Sequence, residues 1–116
     1  MASESKFLYT AAMDVPHSKE ALFNEVYDQE HIPYLAQVPG VISIARFTTQ
    51  PLNMVLGGKK RNIVIEGQPK HTAMYEIVDP AVLLSKEWAE AVDHGRWSSE
   101  VREHTFNRRQ VLLKKT

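Results

Sequence analysis

The order in which strand-like and helix-like stretches alternate constrains this 116-residue chain more than any other feature. Phe7 to Val15 has strand character, with Phe7, Tyr9 and Met13 on one face and Leu8 and Ala12 on the other. Val15-Pro16 ends it, because proline fixes its own φ and restrains its predecessor. Ser18 is the expected N-cap of a helix running to about Tyr34, with Leu22 and Val26 as an i, i+4 core pair. Pro33 should kink or close that helix, leaving Ile32 to Val38 as an irregular last turn, and Pro39-Gly40 marks a turn. Val41 to Thr49 is the second strand and His71 to Val78 the third. Asp79-Pro80 opens a second helix, with Asp79 as N-cap and Pro80 at the first helical position. Its expected apolar stripe is Ala81, Leu84, Trp88, Ala91 and Val92, and Gly95 is placed to end it. Ser98 is read as the cap of a short helical segment through Glu103, and Phe106 to Leu113 as the last strand.

This order is β-α-β, a long excursion, then β-α-β, the split βαβ or ferredoxin-like pattern. It predicts one α+β domain over residues 1–116, a four-stranded antiparallel sheet with both helices on one face. The strands are not cleanly apolar on one side and polar on the other, so the second face needs cover. With no residues left over, a second copy of the sheet is the expected cover, which predicts a homodimer. The excursion from Gln50 to Lys70 is too long for an ordinary loop. Met54-Val55-Leu56 and Asn62 to Glu66 read as two short strands around Gly57-Gly58-Lys59-Lys60, an extra hairpin serving as decoration, dimer arm or pocket lid.

Composition narrows the function classes. Formal net charge is zero, so no basic field exists to hold nucleic acid or anionic lipid. Lys59-Lys60-Arg61 is read as a turn and Lys114-Lys115 as a solvated tail. Without cysteine there are no disulfides, no thiolate catalysis and no Cys-based metal site. The His and carboxylate residues lack His-x-x-x-His or His-Glu-x-x-His spacing, so neither a metal nor another cofactor is expected. No apolar run has the length of a membrane span. Met1 to Lys6 lacks the apolar core of a signal peptide, which makes the cytoplasm the expected location.

One constellation suggests chemistry. Phe23, Tyr27, His31 and Tyr34 are spaced i, i+4, i+8, i+11 along one stripe of the first helix. A ring-rich stripe ending in His and Tyr suits the wall of a cavity for a flat apolar ligand. In that reading His31 moves a proton, and Asp28 is a candidate to orient its ring. In the other, the rings are core packing and His31 is a hydrogen-bonder that holds the Pro33 kink. Arg46 likewise has two readings: an anchor for a carboxylate or enolate, or a structural ion pair with Glu76 or Asp14. Tyr75 on the third strand and Trp97 after the second helix are further candidates for the pocket wall. Arg108-Arg109 puts one Arg on each face of the last strand. No Gly-x-Ser-x-Gly elbow and no phosphate-cradling glycine loop is present.

At Tyr27-Asp28-Gln29-Glu30-His31-Ile32-Pro33, followed by Leu35 and Val38-Pro39-Gly40-Val41, the chain resembles small dimeric α+β barrel proteins, nearest the EthD-like members. The likeness rests on a first helix ending in Glu-His-x-Pro, a Pro-Gly turn and a strand carrying an Arg, here Arg46. It covers residues 7 to 49 and extends loosely to the C-terminus. It implies a sheet that joins its partner's in an α+β barrel. The wider group includes cofactor-free monooxygenases, muconolactone isomerases, heme enzymes, polyketide-tailoring cyclases and proteins of no known activity. The excursion at 50 to 70 departs from its compact members. Two functions stay open besides a purely structural interaction domain that uses the 50 to 70 hairpin. One is a cofactor-independent isomerase, dehydratase, cyclase or monooxygenase for an apolar aromatic or polyketide-like molecule. The other is a non-catalytic binding or stress-associated dimer.

Overall fold

The structure, a computed structural model, describes residues 7–116; the polar segment Met1 to Lys6 lies outside them. In chain order it contains β1 (Phe7–Asp14), α1 (Glu20–Val26), a π-helical turn (Tyr27–His31), α2 (Ile32–Ala36) and β2 (Val41–Thr48). A hairpin of β3 (Leu52–Leu56) and β4 (Lys59–Ile63) follows, then β5 (His71–Ile77), a 3₁₀ stretch (Pro80–Leu84) and α3 (Lys86–Val92). A second π-helical turn (Trp97–Val101), a 3₁₀ turn (Arg102–His104) and β6 (Phe106–Lys114) complete it.

The main sheet is antiparallel throughout, in the order β2-β5-β1-β6. This is the ferredoxin-like α+β fold. Alternation sorts the side chains by face. On β5, His71, Ala73, Tyr75 and Ile77 are buried beneath the helices. Opposite them on β1 stand Met13, Ala11, Tyr9 and Phe7. Phe23, Val26, Tyr27, Leu35, Trp97 and Val101 close the core from above. The other face carries Leu8, Met74, Phe47, Val111 and Leu113, of which Phe47 is 52% exposed.

Four local expectations change. Ser18 caps nothing: it lies in a 3₁₀ turn (His17–Lys19) in which the Lys19 N–H donates to the Pro16 carbonyl. Asp79 is an N-cap, accepting from the Ala81 N–H at 2.8 Å, but the stretch it starts is 3₁₀. Three residues per turn bury Val82 and leave Leu84 89% exposed, outside the expected apolar stripe. Ser85 then breaks the chain into extended backbone and caps α3 afresh, its Oγ accepting from the Trp88 N–H at 3.1 Å. Ser98 does not cap the segment after it; its Oγ donates backwards to the Asp93 carbonyl at 2.6 Å. The fourth change is in the hairpin. Gly57 and Gly58 both have positive φ, 60° and 78°, so they alone make the tight turn and Lys59-Lys60-Arg61 belongs to strand β4. The left-handed Gly95, φ 73°, does follow α3 as its punctuation required.

Candidate functional site

Pro33 shapes the site. A proline has no N–H, and its ring presses on the carbonyl four residues back. The helix meets this by widening just before it: the Ile32 N–H reaches five residues back to the Tyr27 carbonyl. The extra residue rotates everything after it. Tyr34 therefore leaves the stripe of Phe23, Tyr27 and His31, and Leu35 takes its place.

His31 is 5% exposed. Its imidazole stacks on the Trp97 indole, 4.3 Å between centroids and 19° between planes, and meets Tyr27 edge-on at 5.1 Å. Its Nδ1 is buried without a hydrogen-bond partner. Burial, with the nearby positive charges of Arg102 and Arg108, lowers its pKa to about 4. At neutral pH it is an uncharged imidazole.

The stack is fastened from outside by the preceding residue on each segment. The Glu30 carboxylate accepts from the Arg96 backbone N–H at 3.0 Å and from its Nε at 2.6 Å. Arg96 also donates to Glu25 at 2.9 Å. These bonds hold the Glu30 carboxyl below the ordinary carboxylate range. Gly95 leaves room for the clamp, since a Cβ there would sit 2.7 Å from Glu30 Oε1.

Beside His31 lies a cavity of about 100 Å³ between helices and sheet. Tyr27, His31 and Leu35 form its helical wall, and Tyr9, Ala11, Met13 and Tyr75 its floor. Trp88, Val92, Trp97 and Arg102 come from the second helical region, Arg108 and Gln110 from β6. The hydroxyls of Tyr27 and Tyr75 are 3.4 Å apart, and burial raises both pKa values above the usual phenol value, so both stay neutral. Gln110 Nε2 donates to the Tyr9 hydroxyl at 2.8 Å. Arg102 is paired with Asp93 at 2.6 Å. Arg108 donates only to Thr105 Oγ1, at 3.3 Å, and has no carboxylate partner among the described residues.

Of the residues singled out in the sequence, the cavity gathers Tyr27, His31, Tyr75 and Trp97. Phe23 packs behind the wall, against Tyr27, Trp97 and His71. Tyr34 lies against His94, centroids 3.8 Å apart, in a separate groove of about 400 Å³. Arg46 is also elsewhere, and its partners are neither Glu76 nor Asp14. It donates to Asp28 Oδ1 and Asn24 Oδ1, each at 2.8 Å, and its guanidinium lies over the Phe23 and Tyr27 rings. Asp28 is thus engaged by Arg46 and does not orient His31. Glu76 accepts from the Ser43 hydroxyl, and Asp14 from the Lys70 N–H and Asn107.

Sequence reasoning missed Tyr9, Trp88, Arg102, Arg108 and Gln110. The strand period carried a signal for two of them: Arg108 and Gln110 share the face that runs opposite Tyr9 and Ala11. Among the described residues, no three His, Asp or Glu side chains converge on a metal-sized site, and no helix is long and apolar enough to cross a membrane.

No family model matches the sequence, and no curated protein matches it. Solved structures do match the fold. One is a variant of SnoaB, a cofactor-independent oxygenase from Streptomyces nogalater, at 11% identity and a TM-score of 0.58 over 95% of this chain and 92% of that one. Another is an antibiotic biosynthesis monooxygenase, at 13% identity and a TM-score of 0.57 over 95% of this chain and 98% of that one. Neither is named as an EthD-like protein. At such identities the likeness is one of fold, and it identifies the chain as a ferredoxin-like α+β protein.

Proposed function

We propose that this protein is a homodimer that takes a hydroxylated aromatic or polyketide-like molecule into the cavity beside His31, and that His31 accepts the proton of the ligand's hydroxyl. The observation that carries this reading is a buried imidazole in the wall of a ring-lined cavity, its Nδ1 without a hydrogen-bond partner. In the step, the ligand's O–H bond breaks, the proton goes to the imidazole, and the electron pair stays on oxygen as a phenolate or enolate. His31 is a weak base in the surroundings described. An anion forming beside it raises its pKa, so the base strengthens as the transfer proceeds. The positive charge of Arg102 near His31 favours the same oxyanion. A stabilised enolate is the shared first stage of isomerisation, dehydration and oxygenation. The names of the two structural neighbours favour oxygenation among these. An EthD-like affiliation rests on the segment Glu30 to Pro33 followed by Pro39-Gly40.

The cavity volume favours a second reading. About 100 Å³ is well below the roughly 300–1,000 Å³ of ordinary ligand sites. A non-catalytic dimer that binds one small ring fits that volume.

His31→Ala separates function from structure. It is expected to weaken binding of a phenol at least about tenfold, the worth of one hydrogen bond of about 1.4 kcal/mol. Melting should fall less than in a Trp97→Ala variant, by the cost of the small cavity left, because Nδ1 has no hydrogen bond to lose. A large fall in melting temperature with phenol affinity unchanged in the folded protein contradicts the reading.

The dimer follows from the open sheet face, where Phe47, Val111 and Leu113 are exposed on a surface that also carries Leu8 and Met74. Sedimentation at micromolar concentration should give twice the chain mass of 13.2 kDa, and Phe47→Asp should shift it toward monomer. A stable wild-type monomer sinks the dimer.

A further inference from the structure

We infer that the ligand of the His31 cavity carries a standing acidic group, a carboxylate, on the ring that bears its hydroxyl, and that Arg108 anchors it. This rests on the cavity reading above and adds the charge of the ligand. The cavity's side chains make an unbalanced set. Among the described residues, two arginines line it and no Asp or Glu does. Asp93 neutralises Arg102, which leaves one guanidinium uncompensated, that of Arg108. Its planar fork suits a carboxylate, which can accept two of its N–H groups at once. Arg46 cannot serve, since Asp28, Asn24 and His71 already occupy it.

The donors agree with the charge. The Tyr9 oxygen accepts from Gln110, so its own O–H remains free to donate. Arg108 and Tyr9 therefore offer hydrogens at the β6 side of the cavity, while the imidazole of His31, with one acceptor nitrogen when neutral, stands in the helical wall. A molecule with an acidic group at one end and a hydroxyl at the other matches both. Size limits it further. A cavity of roughly 150 Å³ holds a benzene ring. About 100 Å³ encloses most of a single ring and leaves its carboxylate toward Arg108, an exposed residue of β6.

The chain's two tryptophans, Trp88 and Trp97, both line the cavity, so their fluorescence reports its occupancy. The test compares 3- and 4-hydroxybenzoate with 3- and 4-hydroxybenzamide, which keep ring and hydroxyl and remove the charge. At neutral pH and low salt, at least one benzoate is expected to bind about tenfold or more tightly than its amide, as an added charge-assisted bond implies. Arg108→Gln should erase that preference, the benzoate losing more affinity than the amide, and Arg108→Lys should keep part of it. Folding of the variants is checked by melting; Arg108 is exposed and makes one long bond, so it should hold. Equal binding of benzoates and amides to the wild type overturns the inference and leaves the cavity reading standing. A preference that survives in Arg108→Gln also overturns it. If no probe changes the fluorescence, the cavity reading and this inference fall together.

Discussion

Trp97→Ala is expected to destabilise the protein by about 3–5 kcal/mol, the usual cost of truncating a buried aromatic ring to alanine. Trp97 is 2% exposed and touches three rings of the core: His31 at 4.3 Å, Tyr27 at 4.9 Å and Phe23 at 6.0 Å. The cavity it would leave adjoins the existing one, so water can enter. Water beside His31 relieves the desolvation that holds its pKa near 4, and the imidazole should then titrate closer to 6.5. Trp97→Phe keeps a ring over His31 and should show both effects in weaker form. Denaturant unfolding with histidine titration on the same samples checks this. A loss below about 1 kcal/mol, far under the usual range, would mean that the stack does not organise the site.

Acid should weaken the fold through His31. Its pKa is 6.5 in an ordinary setting and about 4 in the folded protein, so the unfolded chain binds the proton more readily. Stability is therefore complete above about pH 6.5 and is lost as pH falls toward 4. At about 1.4 kcal/mol for each pH unit, that gap amounts to roughly 3 kcal/mol. Glu20 and Glu30, whose pKa values are lowered from 4.5 in the fold, add losses at lower pH. His31→Phe should abolish the component between 6.5 and 4 and leave the carboxylate component. Unfolding free energies of the two proteins across that range, subtracted from one another, isolate His31. Parallel curves would contradict a buried neutral imidazole.

The fold was legible because local signals agreed with one another. Val15-Pro16, Pro39-Gly40, Asp79-Pro80 and Gly95 are each backbone requirements, and each marks a boundary in the structure. Misread positions were those where two local chemistries compete. Ser18 lost to a proline carbonyl, and Leu84 was displaced because Ser85 restarts the helix. Part of the candidate site was legible on the same grounds. Tyr27 and His31 share a helical stripe whatever follows, whereas Tyr34 depends on a regular turn that Pro33 forbids. Arg46 was visible as a charge in need of a partner, but Asp28, on the π-helical turn, reaches it only once that turn lies beside β2. Arg108, Gln110, Trp88 and Tyr9 arrive from three different elements. Only the closed sheet brings them to one cavity.

In the proposed site His31 is an uncharged base that faces the ligand. Nitrogen-15 NMR of the five histidines, with His31 assigned by its loss in His31→Ala, measures this directly. Without ligand, His31 should titrate near 4, below an ordinary histidine at about 6.5. A saturating hydroxylated aromatic ligand should move its midpoint upward as the proton passes to the ring. Titration at the ordinary value in the free protein, unmoved by saturating ligand, would contradict the account.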